Sequence, residues 1–383
     1  MILPPTARGI ALALVLSTPA FAQSTAAEVT FTQIAALSGP ASALGTGMRD
    51  GIVAAFEEAN AAGGVNGFKL TLQSLDDGYE PDKSIAQLEA VLPMGSIALI
   101  GPVGTPTTQA MAPMAQQAGL PVVGPFTGAG FLRDPALDNV FNLRASYGAE
   151  TEAWIAHLVD TLGMKRVAIL YQDDGFGRAG LEGTVAALEK RGLTLAAEGN
   201  YVRNTTAVRS ALLQISKADP EAVVMVGSYK PVAEFVRLSR QLRFDPVFVT
   251  ISFVGSGALA AELGGDGAGV IVSQVVPLPG DLDRPVTSAY QVALSAHVPG
   301  AQPDFVSLEG YLVGRLAIEA LKAAGPDPTR ASYLAALRAL SAVDLGGMAL
   351  QFGPGDNQGS DAVFLTRITP DGRFEIVSRD GSS

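Results

Sequence analysis

Short apolar runs alternating with amphipathic stretches leave this chain few folds to choose from. Strand-like runs cover residues 29–37, 69–76, 97–101, 120–125, 166–172, 193–199, 222–227, 246–251 and 269–274. Helical stretches lie between them. Residues 45–64 place Met48, Ile52, Ala55, Phe56 and Ala59 on one face before Gly63-Gly64 ends the turn pattern. Residues 84–93 end at Pro93, and 177–192 and 230–242 follow the same pattern. Strand then helix, repeated, predicts parallel sheets covered on both faces. So many strands exceed one comfortable doubly wound sheet, and the series breaks near residues 141–151. The expected fold is therefore α/β with two doubly wound lobes. Residues 348–377 read as a final hairpin, with turn clusters GPGDNQG and TPDGRF.

Composition narrows the function classes. The net charge of −11 argues against nucleic acid held in a basic groove. The chain has no cysteine, which excludes thiol catalysis and Cys-ligated zinc. Only two histidines occur, His157 and His297, both in helical stretches, so a His-based triad or metal site is not expected. No metal or cofactor is implied. Residues 1–22 read as a secretory signal peptide: Arg8, an apolar run from Ile10 to Leu16, then Ala20-Phe21-Ala22. The run is far shorter than the ~20 residues that span a bilayer. Cleavage after Ala22 and a soluble, exported mature protein are expected.

The stretch IALIGPVGTPTTQAM, residues 97–111, runs from a strand into a glycine-rich loop and a helix. It lacks the lysine of a phosphate-binding loop, the G-x-G-x-x-G spacing of a dinucleotide site and the serine of a nucleophile elbow. What remains is a helix N-terminus with unpaired N–H groups, joined by the hydroxyls of Thr105, Thr107 and Thr108. Such a group can hold a carboxylate without a basic side chain. Alone, it reads first as an ordinary helix cap with turn glycines. Similar loops follow other strands, at residues 36–47, 124–135 and 171–180. Open parallel sheets bind ligands beyond the carboxyl ends of their strands, so loops of this kind converge on one crevice.

Taken in order, SGPASALGTGMRDG, NAAGGVNG, DDGYEPDKS, GPVGTPTTQAM and RVAILYQDDGFGRAG resemble the type I periplasmic solute-binding proteins. The nearest branch is the leucine/isoleucine/valine-binding proteins of ABC importers. The resemblance implies two α/β lobes joined by three crossovers that close over a ligand. Lobe one falls on residues 28–145 plus 275–345, and lobe two on 146–274 plus 346–383. The crossovers fall near Arg144–Tyr147, Gln274–Val276 and Val343–Gly347. The implied carboxylate site falls on Thr105 and on Phe126, Thr127 and Gly128. Phe176, between two loop glycines, is a core residue or a ligand wall, and its place favours the wall. Tyr229, directly after a strand, is a second aromatic of the pocket. Leu44 replaces an aromatic common in the first loop.

One departure stands out. Branched-chain binders in this family carry an acid where this chain has Ser252. Either Asp173, Asp174, Glu150 or Glu309 pairs a ligand ammonium instead, or the ligand is not an α-amino acid but an aromatic or other organic acid or an amide, for which Phe126 adds stacking surface. Singly, Glu150 and Glu309 read first as solvated helix residues. Asp76-Asp77 and Asp173-Asp174 read as turn and cap residues. The resemblance implies a small-molecule ligand, an inner-membrane ABC permease as partner and a monomer. A sensor feeding a signalling receptor is the alternative, and an exported hydrolase is the weaker one.

Overall fold

The computed structural model describes residues 1–2 and 27–377. The secretory reading and the cleavage after Ala22 fall outside the described residues. The first half of the chain runs β1 (Ala27–Ala35), α1 (Ser42–Ala61), β2 (Phe68–Asp76), α2 (Pro81–Val91), β3 (Leu99–Ile100), α3 (Thr105–Gln117), β4 (Val122–Val123) and β5 (Val140–Phe141). These strands form one parallel sheet in the order β2-β1-β3-β4-β5. A second series follows: α4 (Tyr147–Ile155), β6 (Val167–Gln172), α5 (Gly175–Glu189), β7 (Ala197–Tyr201), α6 (Arg209–Ser216), β8 (Ala222–Val226), α7 (Tyr229–Gln241), β9 (Val247–Thr250), α8 (Ser256–Leu263) and β10 (Ile271–Gln274). The chain then returns through α9 (Pro285–His297), α10 (Phe305–Ala324), α11 (Arg330–Ala339), β11 (Ala342–Asp344), β12 (Ala349–Gln351), β13 (Phe364–Ile368) and β14 (Phe374–Ile376). The second sheet has the order β14-β13-β10-β9-β8-β6-β7. It is parallel except where β13 pairs antiparallel with β10 and with β14.

Both faces of the first sheet are covered, as the apolar strands require. Phe31 and Ile100 share a core with Met48 and Ile52 of α1 and Val313 of α10. Ile34 and Leu99 share a separate core with Leu88 of α2 and Met111 of α3. The helices α1 and α10 meet backbone to backbone. A Cβ on Gly51 would come within 1.9 Å of the Ser307 carbonyl oxygen, and one on Gly310 within 2.3 Å of the Met48 carbonyl oxygen. Gly51→Ala should therefore destabilise the protein by at least about 1–3 kcal/mol, because only backbone could move aside. A lowered urea midpoint checks this; an unchanged midpoint would contradict the close contact.

The final segment differs from expectation. Ala349–Gln351 does not lead a hairpin into β13 but turns back onto Ala342–Asp344. Gly346 and Gly347, at φ 94° and 90°, make that reversal, a left-handed conformation open to glycine. The third passage between sheets thus runs from Gln351 to Phe364, and residues 343–347 are a hairpin rather than a crossover. Residue Asn142, just past β5, anchors this passage: its N–H donates to Asn357 O at 2.8 Å, and Gly359 N donates to its carbonyl at 2.7 Å. Among the described residues no helix is long and apolar enough to cross a membrane.

Candidate ligand-binding site

Each parallel sheet has a point where the strand order reverses, between β1 and β3 in the first and between β6 and β8 in the second. Loops leaving those strands face each other across the gap between lobes. The lobes are closed on one another. Arg203 donates to Glu80 at 3.0 Å, Asn204 Nδ2 to Glu80 Oε1 at 2.7 Å, and Gln172 Nε2 to the Tyr79 hydroxyl at 3.3 Å.

The first wall is the start of α3. Its cap is Gly104, which offers no side chain, so the first N–H groups of the helix have no side-chain acceptor. The Thr105 hydroxyl lies 2.7 Å from that of Thr127, both buried. An extra parallel bridge between Val103 and Phe126 brings those two loops into register. The buried Tyr147 hydroxyl lies beside both threonines without a hydrogen bond of ordinary geometry to either. Burial pushes its pKa up. Gly128 packs under Tyr147, whose ring would meet a Cβ there at 2.5 Å. Thr107 stands apart: its hydroxyl donates to Val103 O at 2.6 Å and supports the loop from behind.

The opposing helix α5 is capped differently. The Asp174 carboxylate accepts from Phe176 N at 2.9 Å and Gly177 N at 3.4 Å, so this N-terminus already holds its own anion. Asp173 faces outward and pairs with Arg178. Asp76 accepts from Leu37, Ser38 and Gly78 N–H groups, and Asp77 from Tyr79 N and Ser84 Oγ, as turn residues do.

Aromatic rings fill the middle. Phe253, fully buried, has its centroid 4.5 Å from Phe176, 5.3 Å from Phe126 and 6.1 Å from Tyr79. Phe176 also lies 5.5 Å from Tyr147. Tyr229 sits at the rim of the same gap, where its hydroxyl accepts from Ala43 N at 3.5 Å. Next to it, Leu44 touches Gly255 of the other lobe.

At the hinge a buried charge cluster surrounds Ser252. Arg144 is fully buried, stacked 4.6 Å over the Phe126 ring, with Nε 3.4 Å from Glu309 Oε1. Its Nη2 donates to Ser252 Oγ, and its Nη1 has no acceptor. Glu150 accepts from Ser252 N at 2.9 Å, Ser252 Oγ at 2.9 Å and Ser273 Oγ at 2.5 Å. The solvated reading of Glu150 and Glu309 is thus corrected: exposures of 0% and 2% put both inside, because each lies on the inward side of its helix, against the Arg144–Ser252 cluster. Burial raises the pKa of both, that of Glu309 to about 7. Arg133 adds a second guanidinium, with burial and neighbouring Arg144 lowering its pKa to about 10. Among the described residues no cluster of acids and histidines could hold a metal.

The Glu309 shift has a stability consequence. Its carboxyl is protonated in both states below the unfolded value near 4.5, where this group costs nothing. As pH rises towards 7 the unfolded chain ionises first, so stability falls by up to roughly 3 kcal/mol, and the loss is complete above the folded value. Glu309→Gln should flatten the fall in urea midpoint between pH 5 and pH 8. An unaltered pH profile would mean that Glu309 ionises freely in the folded protein.

Of the residues read from the sequence as binding ligand, Thr105, Phe126, Thr127, Gly128, Phe176, Tyr229 and Ser252 lie around this gap, and Thr107 lies behind the loop. Tyr79, Tyr147, Phe253 and Arg144 lie in the same gap and were not singled out from the sequence. The available signal was placement: each follows a strand end or interrupts an apolar run.

The periplasmic binding protein family model matches residues 28–373. A possible leucine/isoleucine/valine-binding protein from Rhodopirellula baltica SH 1 has 38% identity and a TM-score of 0.88, covering 92% of this chain and 97% of that one. A substrate-binding periplasmic protein from Ralstonia solanacearum has 28% identity and a TM-score of 0.86, covering 91% and 100%. Leu/Ile/Val-binding protein homolog 3 of Brucella melitensis is 29% identical over 253 residues. That match spans 66% of this chain and 64% of the relative, just under two thirds of its length.

Proposed function

This chain belongs to the periplasmic binding protein family, and we propose from that premise that it captures a small carboxylate-bearing solute between its lobes and delivers it to an ABC permease of the inner membrane. It is a solute-binding protein, as its relatives are, and not an enzyme. One observation supports the carboxylate most directly. The N-terminus of α3 has no side-chain cap and lies against the buried Thr105–Thr127 hydroxyl pair, whereas α5 opposite is capped by Asp174. An uncapped helix start with inward hydroxyls is a site for an anion. The unpartnered, buried Tyr147 hydroxyl beside it supplies a further donor. The proposed ligand residues are Thr105, Phe126, Thr127, Gly128, Phe176 and Tyr229, with Thr107 acting on the loop behind them and Ser252, whose donors are taken by Glu150, acting through Glu150 and Arg144.

The mechanism is closure. A ligand held by lobe one gains contacts from Phe176 and Tyr229 of lobe two in the closed form only, and that difference shifts the equilibrium towards closure. The protein acts as an exported monomer cleaved after Ala22. Mass spectrometry of freshly purified, denatured protein tests the reading. An equimolar small acid is expected, on a chain beginning at Gln23. A stoichiometric cation or an uncharged sugar would refute the carboxylate site.

A further inference from the structure

We propose that the Ser252–Phe253 turn makes this cleft selective for carboxylates with a planar apolar body and no α-ammonium. The inference rests on the carboxylate reading and deepens it within the same cleft. Ser252 does the opposite of what an acid there would do. Its N–H and Oγ draw Glu150 back into lobe two, and the same Oγ accepts from Arg144. With Ser273 also donating, both oxygens of Glu150 are occupied. Glu309 faces the Arg144 guanidinium rather than open cleft. A ligand ammonium would meet Arg144 before any free acid, and an ammonium stripped of water without its own partner is strongly disfavoured. A lone carboxylate fares better. Burial leaves Glu309 partly protonated near neutral pH, so the two guanidiniums outweigh the ionised acids around it.

Phe253 supplies the second half of the selection. Its turn is set by Gly255, at φ 80° and ψ 81°, which fixes the ring between Phe126 and Phe176 from opposite lobes. The three rings are buried against one another at interplanar angles of 34° and 51°, so a ligand that enters between them meets ring faces, against which a planar group stacks well. The volume that Phe253 fills is volume denied to the ligand, so this side chain limits ligand size.

Calorimetric titration of the mature protein with acids paired to differ only in the ammonium tests this. The pairs are isocaproate with leucine and hydrocinnamate with phenylalanine. The deaminated member of each pair should bind at least about tenfold tighter. Phe253→Ala should shift the naphthoate-to-benzoate affinity ratio about tenfold towards naphthoate. Phe253→Leu keeps apolar fill, guards against a misfolded alanine variant, and should shift the ratio in the same direction by less. Leucine or phenylalanine binding as tightly as its partner overturns the inference, and so does an unchanged ratio in both variants, while the carboxylate reading survives. Binding of none of these acids by the unsubstituted protein overturns the carboxylate reading and this inference with it.

Discussion

Arg144→Met should cost the protein roughly 3–5 kcal/mol of stability, the loss typical of breaking a buried ion pair from one side. The reason lies in what is left behind. Arg144 is the nearest cation to Glu309 and a direct partner of Ser252. Without it, Glu309 and Glu150 face each other as buried carboxyls, each raising the cost of ionising the other. Guanidine titration at pH 7.5 and at pH 5 measures the effect, and the loss should shrink at the lower pH as Glu309 takes up a proton. Adding Glu309→Gln to the methionine variant should recover part of the loss, because an uncharged amide needs no counter-ion. A single-variant loss below about 1 kcal/mol would mean that water or Arg133 already balances these acids.

The second large effect is on binding rather than folding. Thr105→Val with Thr127→Val removes both hydroxyls at equal volume, and ligand affinity should fall roughly a hundredfold or more. Each hydrogen bond to a charged group is worth about 1.5–3 kcal/mol. Stability without ligand should fall by about 1–3 kcal/mol, because the two hydroxyls leave together but the Ala129 N–H, which donates to the Thr127 hydroxyl at 3.2 Å, loses its acceptor. Thr107→Val provides the contrast. Its hydroxyl serves the Val103 and Gly104 carbonyls, so that variant should lose stability and keep affinity. Calorimetry with the acid released from the native protein, alongside urea titration, separates the two outcomes. Equal affinity in the double variant would remove Thr105 and Thr127 from the binding site.

Much of this architecture was legible in the residues because burial leaves periodic traces. The run at 166–172 and the strand Val167–Gln172 nearly coincide, since that strand is buried along its whole length. The runs at 97–101 and 120–125 overstated β3 and β4, where only two residues pair in each although their neighbours are also apolar. Apolar pattern reports burial, and pairing is a separate matter. The two-residue β5 carries too short a pattern to be seen. The positions of Thr105 and Phe176, each in the first turn of a helix that follows a strand, were legible because strand ends are where a parallel sheet exposes its crevice. The acids were not. Glu309 lies four residues after Phe305, on a helix buried almost all round, so no polar face marks it as inward or outward. Arg144 ends the apolar stretch VFNL, and only the three-dimensional meeting of α4, α10 and the turn after β9 shows why a guanidinium belongs there.

The glycine contact between α1 and α10 has a mechanical meaning. Where two helices touch through their backbones, no side chains lie between them that could shear or change rotamer. That part of lobe one behaves as a stiff plate. The two sheets are joined by thin passages at residues 142–146, 275–284 and 352–363. Arg144 lies in the first of these, so the charge balance is held in a connection between the sheets rather than inside either of them.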